Sequence, residues 1–409
     1  MNLSGELKRL LSSEFVSALE IISQKADDFG VRVFIIGGVV RDLLLGKNIY
    51  DVDLVVEGNA IEFCKFIEAE NCCNIERISP DFGTAKITLK QFKNLSLDFA
   101  STRTEKYPKK GHLPVVDKIG CTLLEDIKRR DFTVNALALS INKNDFGLLI
   151  DYTDGVKDIE KKELKILHDN SFIDDPTRII RGLRFAYKLD FKLEDKTQIL
   201  QKEYLQHFNN NDICYERIKQ VVKLAFGLNS AELYNEFINS KIYKLITAAP
   251  FLKDGFCIKK AVEKNKKLIP NENIWLVYLS CCINLEDTEK LNLNSKELSI
   301  FKELNRLQHN KVEINSNYDI YNQFNNVPME SIVAYLAITQ DNSAQIYIDN
   351  LMNITPAING NDLIELGFER GRIIGQVIEK IKEEKINGNI KNKEDEFLLA
   401  KKIMSEFYN

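Results

Sequence analysis

Val33-Phe34-Ile35-Ile36-Gly37-Gly38-Val39-Val40-Arg41-Asp42-Leu43-Leu44-Leu45-Gly46, followed by Asp51-Val52-Asp53-Leu54-Val55-Val56-Glu57-Gly58, decides how this chain is read. An apolar strand runs into paired glycines, a helix bearing an arginine follows, and a second apolar strand carries two carboxylates at positions i and i+2. Side chains on a strand alternate faces, so Asp51 and Asp53 point the same way, with their Cα atoms roughly 7 Å apart. Two acids on one face can hold Mg2+, which takes oxygen ligands from one or two carboxylates and keeps several waters. Gly37 and Gly38 lack Cβ atoms and so let backbone N–H groups approach phosphates at a helix N-terminus. Arg41 adds a fork of donors. Taken singly, paired glycines are a tight turn and Asp-x-Asp is an ordinary strand edge. In this order they read as a nucleotide site suited to phosphoryl or nucleotidyl transfer.

The whole chain sets the frame for that site. At 409 residues with 44% hydrophobic content it exceeds one ordinary domain, and two to four modules are expected. No uninterrupted apolar run of about 18 residues occurs, and Met1 to Lys8 lacks the apolar core of a signal peptide, so a cytoplasmic protein with no membrane partner is expected. The cysteines Cys64, Cys72, Cys73, Cys121, Cys214, Cys257, Cys281 and Cys282 show no Cys-x-x-Cys spacing and read as reduced thiols filling cores. A net charge of -4 argues against indiscriminate coating of nucleic acid, but RNA binding depends on where the cations lie. Nothing in the sequence sets an oligomeric state. The asparagine-rich stretches at 209–211 and 315–325 read as loops.

Up to about residue 150, strands mix with helices. Strands are expected at 31–38, 51–58, 83–89 and 95–100, and a helix at 60–70. Asp98, in mid-strand, either joins the acidic pair from a neighbouring strand or pairs with Arg103. The stretch from Arg103 to Asp117 is basic and carries Pro108, Gly111 and Pro114, so an irregular loop is expected there. Its His112 reads as solvated surface, since nothing nearby would orient it as a base. Beyond residue 150 the pattern turns helical, at 175–189, 194–208, 215–226 and onward, with breaks near Asn229-Ser230 and near residue 320. The expected fold class is α+β: an N-terminal head with a mixed β-sheet at 1–150, then all-helical segments at 151–229, 230–320 and 321–409.

Two further constellations lie downstream. Arg129-Arg130-Asp131-Phe132-Thr133-Val134-Asn135-Ala136 sets two cations, an anion and an amide at the start of an apolar stretch read as helical. Such groups hydrogen-bond a ribose and its phosphates, or simply cap a helix. In Asp174-Asp175-Pro176-Thr177-Arg178-Ile179-Ile180-Arg181-Gly182-Leu183-Arg184-Phe185, a proline opens a helix on which Arg178, Arg181 and Arg184 repeat every third residue. Arginines so aligned repel one another unless an anion meets them. Asp175 and Arg178 are helical neighbours that offer an acceptor beside a donor fork. That pair can read the edge of a base or form an ordinary i,i+3 ion pair.

Together these motifs resemble the class II tRNA nucleotidyltransferases, the bacterial CCA-adding enzymes and their poly(A) polymerase relatives, of the DNA polymerase beta superfamily. The likeness runs through Gly37 to Asp53, Arg129 to Ala136, a connecting motif at Asp151 to Ile159, Asp174 to Arg178, and Glu216-Arg217, covering roughly the first 230 residues and, more loosely, the last 50. It implies Asp51 and Asp53 as catalytic ligands of Mg2+. It places Gly37, Gly38 and Arg41, with Arg130, Asp131, Arg181 and Arg184, at the nucleotide's phosphates and ribose. Asp175 and Arg178 become a protein template that selects C or A. The segments become a catalytic nucleotidyltransferase head, a nucleotide-selecting neck (151–229), a body (230–320) and a tRNA-binding tail (321–409). The implied reaction is addition of CCA, from CTP and ATP, to the 3′ end of tRNA.

Asp174 stands where a Glu is more usual, Tyr215 where a small residue is, and Tyr152-Thr153-Asp154-Gly155 where a Pro or double Gly is often seen. The loop between the first two motifs is not shortened, which favours competence to add A. An A-adding or CC-adding specialist, a poly(A) polymerase and a catalytically silent RNA-binding protein are the alternatives. A phosphohydrolase is disfavoured, because His168-Asp169 is the sole His-Asp pair.

Overall fold

The computed structural model describes residues 1–49, 52–92, 95–108, 111, 114–208, 213–310 and 313–408, without the side chains of 407 and 408. Asp51, His112 and the asparagines at 209–211 fall outside these residues. The chain forms two units. The first comprises Met1–Val221 with Ser240–Leu245, and the second Val222–Asn239 with Ile246–Asn409.

The first unit is built on strands β1 (Arg32–Ile36), β2 (Asp53–Glu57), β3 (Cys73–Ser79), β4 (Thr84–Leu89), β5 (Ser96–Ser101), β6 (Arg103–Lys106), β7 (Val115–Ile119), β8 (Ala138–Ser140) and β9 (Leu149–Ile150). Seven of them form one mixed sheet in the order β3-β4-β5-β2-β1-β8-β9, in which β2 and β5 run parallel and the other neighbours antiparallel. Alternation along β4 and β5 sends Ala85, Ile87, Leu97 and Phe99 to one face, where the helix Ala60–Ala69 covers them and Phe63 meets Phe99 edge-on at 5.8 Å. The helix Ser13–Phe29 also packs on β1. On the opposite face Phe34, Ile36, Val55 and Ala138 pack against Leu123 and Ile127 of the helix Leu123–Lys128. That helix is started by a capping box in which Thr122 and Glu125 satisfy each other's backbone N–H groups. This second face is the one that carries Asp53 and Asp98.

Several expectations change. The basic stretch after Arg103 is not irregular throughout: β6 and β7 pair antiparallel, Arg103 opposite Ile119 and Lys106 opposite Val115. The apolar stretch after Arg130 does not open a helix. It makes one 3-10 turn, Thr133–Asn135, and enters β8. The later part of the chain is mostly rather than wholly helical, since Glu163–Leu164 and Lys192–Leu193 form a short parallel ladder. The asparagine-rich stretch near residue 320 is the helix Asn317–Phe324, held by a Ser316–Asp319 capping box and burying Ile320, Tyr321 and Phe324. Local capping and an apolar face there outweigh the low helix propensity of asparagine.

The second unit is helical. All nine residues of the helix Ile274–Cys282 are buried, and Phe226, Tyr234, Phe237 and Tyr278 form an aromatic cluster with ring centroids 5.2 to 5.9 Å apart. Near the end of the chain Leu363, Phe368, Val377, Ile381 and Ala400 share a core. All eight cysteines are free thiols, and Cys64, Cys73, Cys121, Cys281 and Cys282 are buried. Among the described residues no helix is long and apolar enough to cross a membrane.

Candidate active site

The face of the sheet that carries Asp53 opens into a cleft of about 930 Å³ within the first unit. Its lining includes Gly37, Gly38, Arg41, Asp53, Asp98, Arg130, Asp131, Asp175, Arg178, Arg181 and Arg184. Every site residue expected from the sequence therefore meets in one place except Asp51, which lies outside the described residues. Nine arginines and Lys188 line the cleft against five carboxylates, so its field favours a polyanion such as a nucleoside triphosphate.

Its floor is made by β1, β2 and β5. Asp53 and Asp98 are direct partners in the parallel pairing of β2 with β5, so their side chains share a face. Of the two readings of Asp98, the structure places it beside Asp53 rather than on Arg103. Arg103 is held by Glu105 and by the Phe82 carbonyl, whereas Asp98 ion-pairs with Lys86 at 3.5 Å. Carboxylate oxygens are the donors that a hard divalent cation takes. Among the described residues no three His, Cys, Asp or Glu side chains converge into a metal cluster. Asp53 and Asp98 are the two carboxylates that β2 and β5 bring to this part of the cleft.

Gly37 holds φ 80° and ψ -133°, a conformation that only glycine adopts freely, and its N–H donates to the Leu137 carbonyl at 3.0 Å. A Cβ there would lie 3.5 Å from Nη1 of Arg130, and one on Gly38 would lie 3.3 Å from Nη2 of Arg41. The Gly38 position is tight against the Arg41 guanidinium, whereas at Gly37 the Arg130 guanidinium is at ordinary contact distance and glycine is required by the positive φ. Arg41 is buried. Its Nε and Nη2 donate to Asp42 at 2.9 and 2.8 Å, and its Nη1 donates to Asn135.

Asn135 in turn donates to Asp131 at 3.0 Å, and Asp131 receives Nε and Nη2 of Arg181 at 2.9 and 2.5 Å. Burial pushes the Asp131 carboxyl up, but Arg181 and these hydrogen bonds outweigh it and hold the group below the usual carboxylate range. Asp131 therefore acts as the holder of Arg181. Arg41, Arg181 and Arg184 surround the Phe185 ring at 5.4, 5.6 and 4.7 Å. Burial, followed by the charges of Arg181 and Arg41, lowers the pKa of Arg184. Such crowded cations are relieved by an anion, which is the behaviour of a phosphate site.

The arginine helix Thr177–Leu189 reaches the sheet because Gly182 leaves space: a Cβ there would sit 2.9 Å from Cζ of Phe132. Phe132 also meets Phe185 edge-on at 6.1 Å. Gly155, in the connecting motif, has no room for a side chain either, since its Cβ would fall 2.4 Å from the Thr133 carbonyl. Asp158 accepts the Thr133 hydroxyl at 2.6 Å and ties the same two segments together.

Asp175 and Arg178 line the cleft but do not form the i,i+3 ion pair. Asp175 Oδ2 receives Arg217 Nη2 at 2.5 Å, and its Oδ1 receives the Thr177 backbone N–H at 3.1 Å and hydroxyl at 2.5 Å. Arg178 Nη2 donates to the Arg129 carbonyl at 2.7 Å and to the Tyr107 hydroxyl at 3.4 Å. The buried Nη1 of Arg178 has no hydrogen-bond partner, a donor that a base edge can accept.

Sequence reasoning did not single out Asp126. It is fully buried and accepts Nε and Nη2 of both Arg129 and Arg130, together with the backbone N–H of Arg103. Its spacing of three and four residues to the two arginines was the available signal. Burial pushes its carboxyl up, yet Arg130 and Arg129 hold it below the usual range. Glu105, which also receives Arg129 at 3.1 Å, was missed for a different reason: it lies in a segment expected to be irregular.

Comparison with known proteins identifies the family. Residues 33–165 match the family model described as the poly A polymerase head domain. The A-adding tRNA nucleotidyltransferase of Aquifex aeolicus is 33% identical over 87% of this chain, and the chain spans about half of that protein's length, 45%. The CCA-adding enzyme of Ligilactobacillus salivarius is 30% identical, covering 97% of this chain and 98% of that protein. Among solved structures, the Thermotoga maritima CCA-adding enzyme complexed with tRNA superposes with a TM-score of 0.75 at 25% identity, over 100% of this chain and 99% of that one.

Proposed function

Because the chain belongs to the class II tRNA nucleotidyltransferases, we propose that it adds C, C and A, taken from CTP and ATP, to the 3′ end of tRNA without a nucleic-acid template. In this reaction the terminal hydroxyl of the RNA attacks the α-phosphate and pyrophosphate leaves. The observation that carries the reading is the joining, in one cleft, of the Asp53–Asp98 floor, the arginines around Phe185 and the partnerless Nη1 of Arg178.

Each part has a role in that reaction. Arg41, Arg130, Arg181 and Arg184 bind the triphosphate and offset the charge that builds on it and on the departing pyrophosphate. Arg178 donates to the edge of the base while Asp175 accepts from it. Arg217 and Thr177 fix the Asp175 carboxylate so that this acceptor does not turn. Asp51, Asp53 and Asp98 would hold the divalent cation, which we take to be Mg2+. When bound, it lowers the pKa of the attacking hydroxyl and screens charge at the phosphate. The division into head (1–150), neck (151–229), body (230–320) and tRNA-gripping tail (321–409), and a cytoplasmic setting, belong to the same proposal.

A narrower activity, addition of A alone, is favoured by the likeness to the A-adding enzyme of Aquifex aeolicus. The two readings separate on a tRNA ending before CCA: the CCA-adding reading requires label from CTP to enter it, and the A-adding reading forbids this. For the catalytic floor, Asp53→Ala is expected to abolish incorporation while leaving the circular dichroism spectrum unchanged. Retained incorporation would overturn the assignment.

A further inference from the structure

One row of side chains crosses the sheet beside the site. Arg77 of β3 is opposite Lys86 of β4, Lys86 is opposite Asp98 of β5, and Asp98 is opposite Asp53 of β2. Direct cross-strand partners share a face, so two cations and two carboxylates stand in line on the cleft side. With strands about 4.8 Å apart, Lys86 stands about 10 Å and Arg77 about 14 Å from Asp53. The cations therefore lie on the side of the acids away from β1 and its glycines.

Beyond the Thr84–Ala100 pair, in the turn that joins β3 to β4, sits Phe82, which is 49% exposed and lines the cleft. A half-exposed aromatic ring in a polar cleft is unusual, and the backbone that carries this one is tied down. The Phe82 carbonyl accepts Nη1 of Arg103 at 3.0 Å, and the next carbonyl, of Gly83, accepts both the backbone N–H and the hydroxyl of Ser101 at 2.8 Å. Gly83 turns at φ 62°, where a Cβ would meet Ser101 Oγ at 2.9 Å and Ile119 Cδ1 at 3.1 Å. The Arg103 guanidinium carbon stands 5.7 Å from the Phe82 ring centroid and is itself fixed by Glu105. The ring is thus a preorganised surface, with its backbone fastened on both sides and its side chain presented to the cleft.

Neither the phosphate arginines nor the base-reading pair uses Phe82, Arg77 or Lys86, the last of which is paired with Asp98, and this leaves the row for the second substrate. The geometry points to a subsite for the RNA 3′ end, in which the terminal base stacks on Phe82 and its 5′ phosphate lies over Lys86 and Arg77. The ribose 3′ hydroxyl then reaches toward Asp98 and Asp53. Stacking on an aromatic ring tolerates any base, as required of a subsite that meets a different terminal nucleotide after each addition. A cation row contacting phosphate places the strand without reading its sequence. This inference rests on the reading of the chain as a tRNA-extending enzyme and adds the residues that seat its RNA substrate.

The test needs no turnover. A tRNA carrying 2-aminopurine as its 3′-terminal base is titrated with the full chain, without CTP or ATP, and its fluorescence is followed. Binding to the wild type is expected to quench the fluorophore. Phe82→Leu is expected to lose the quench and to bind roughly 5- to 100-fold more weakly, from typical base–aromatic stacking. Phe82→Trp is expected to restore both. Arg77→Gln is expected to lower the slope of log affinity against log salt by about one. Equal quench and affinity in wild type and Phe82→Leu would overturn the subsite, as would failure of Phe82→Trp to restore them. Incorporation of labelled nucleotide by the wild type is measured in parallel. Extension with a quench indifferent to Phe82 removes the subsite and keeps the reaction, whereas a Phe82-dependent quench without extension does the reverse.

Discussion

Replacing Asp126 by asparagine probes the support beneath the phosphate arginines. The carboxylate is fully buried, and Arg129 and Arg130, each less than one-fifth exposed, depend on it. Breaking a buried charge pair by removing one partner costs about 3–5 kcal/mol, because the remaining charge stays buried without compensation. Arg129 keeps Glu105 at 3.1 Å, and asparagine keeps one acceptor oxygen. The expected loss is therefore at the low end, about 3 kcal/mol. With a urea m-value of about 3 kcal/mol/M this moves the midpoint down by about 1 M.

The substitution also acts on function. Arg130 is the guanidinium beside Gly37, so its release is expected to raise KM for the nucleotide by roughly 10-fold, the worth of one charge-assisted hydrogen bond. The pH dependence gives a third reading. The folded carboxyl lies below its unfolded value, so its stabilisation is present above about pH 4 and is lost as pH falls through the folded value. Asp126→Asn removes that part of the acid limb. Urea titrations monitored by circular dichroism at pH 7 and pH 3, with nucleotide kinetics, read all three effects. A midpoint shift below about 0.3 M together with an unchanged nucleotide KM would refute the reasoning.

Other substitutions separate the remaining roles. Arg217→Ala frees Asp175 from its cation and is expected to narrow the ratio of kcat/KM for ATP over CTP without abolishing turnover; an unchanged ratio speaks against a positioning role. Arg178→Ala should blur the same preference more strongly, and intact selectivity would remove it from base reading. Gly37→Ala forces a side chain into a backbone conformation costing about 1–3 kcal/mol, and is expected to lower both thermal stability and nucleotide affinity. A variant as stable as wild type contradicts the requirement for glycine.

Much of the head could be read from sequence because its signals are local: the apolar runs of β1 and β2, the glycines between them and the alternation in β4 and β5. What escaped were pairings that only three dimensions supply. Arg103 to Lys106 has no apolar alternation, so β6 was invisible until β7 was there to pair with it. Asp98 was legible as a candidate, but its alignment with Asp53 follows from strand order. Asp175 and Arg178 were found as neighbours, yet each turns to another residue, because Arg217 arrives from a helix forty residues later. The expected helix after Arg130 failed because Gly155 and Asp158 dock on Thr133 and turn the chain into β8.

The central claim is that this cleft transfers nucleotides to the tRNA 3′ end. It is tested by incubating the wild-type chain and Asp53→Asn with Mg2+ and tRNAs ending before CCA, after the first C and after the second. Labelled CTP and ATP are supplied separately and together, and product lengths are resolved to one nucleotide. The account predicts that both nucleotides together complete CCA on every substrate, that ATP alone extends only the tRNA ending in CC, and that Asp53→Asn extends none. Absence of label in every tRNA with the wild-type chain, or equal extension by Asp53→Asn, would contradict it.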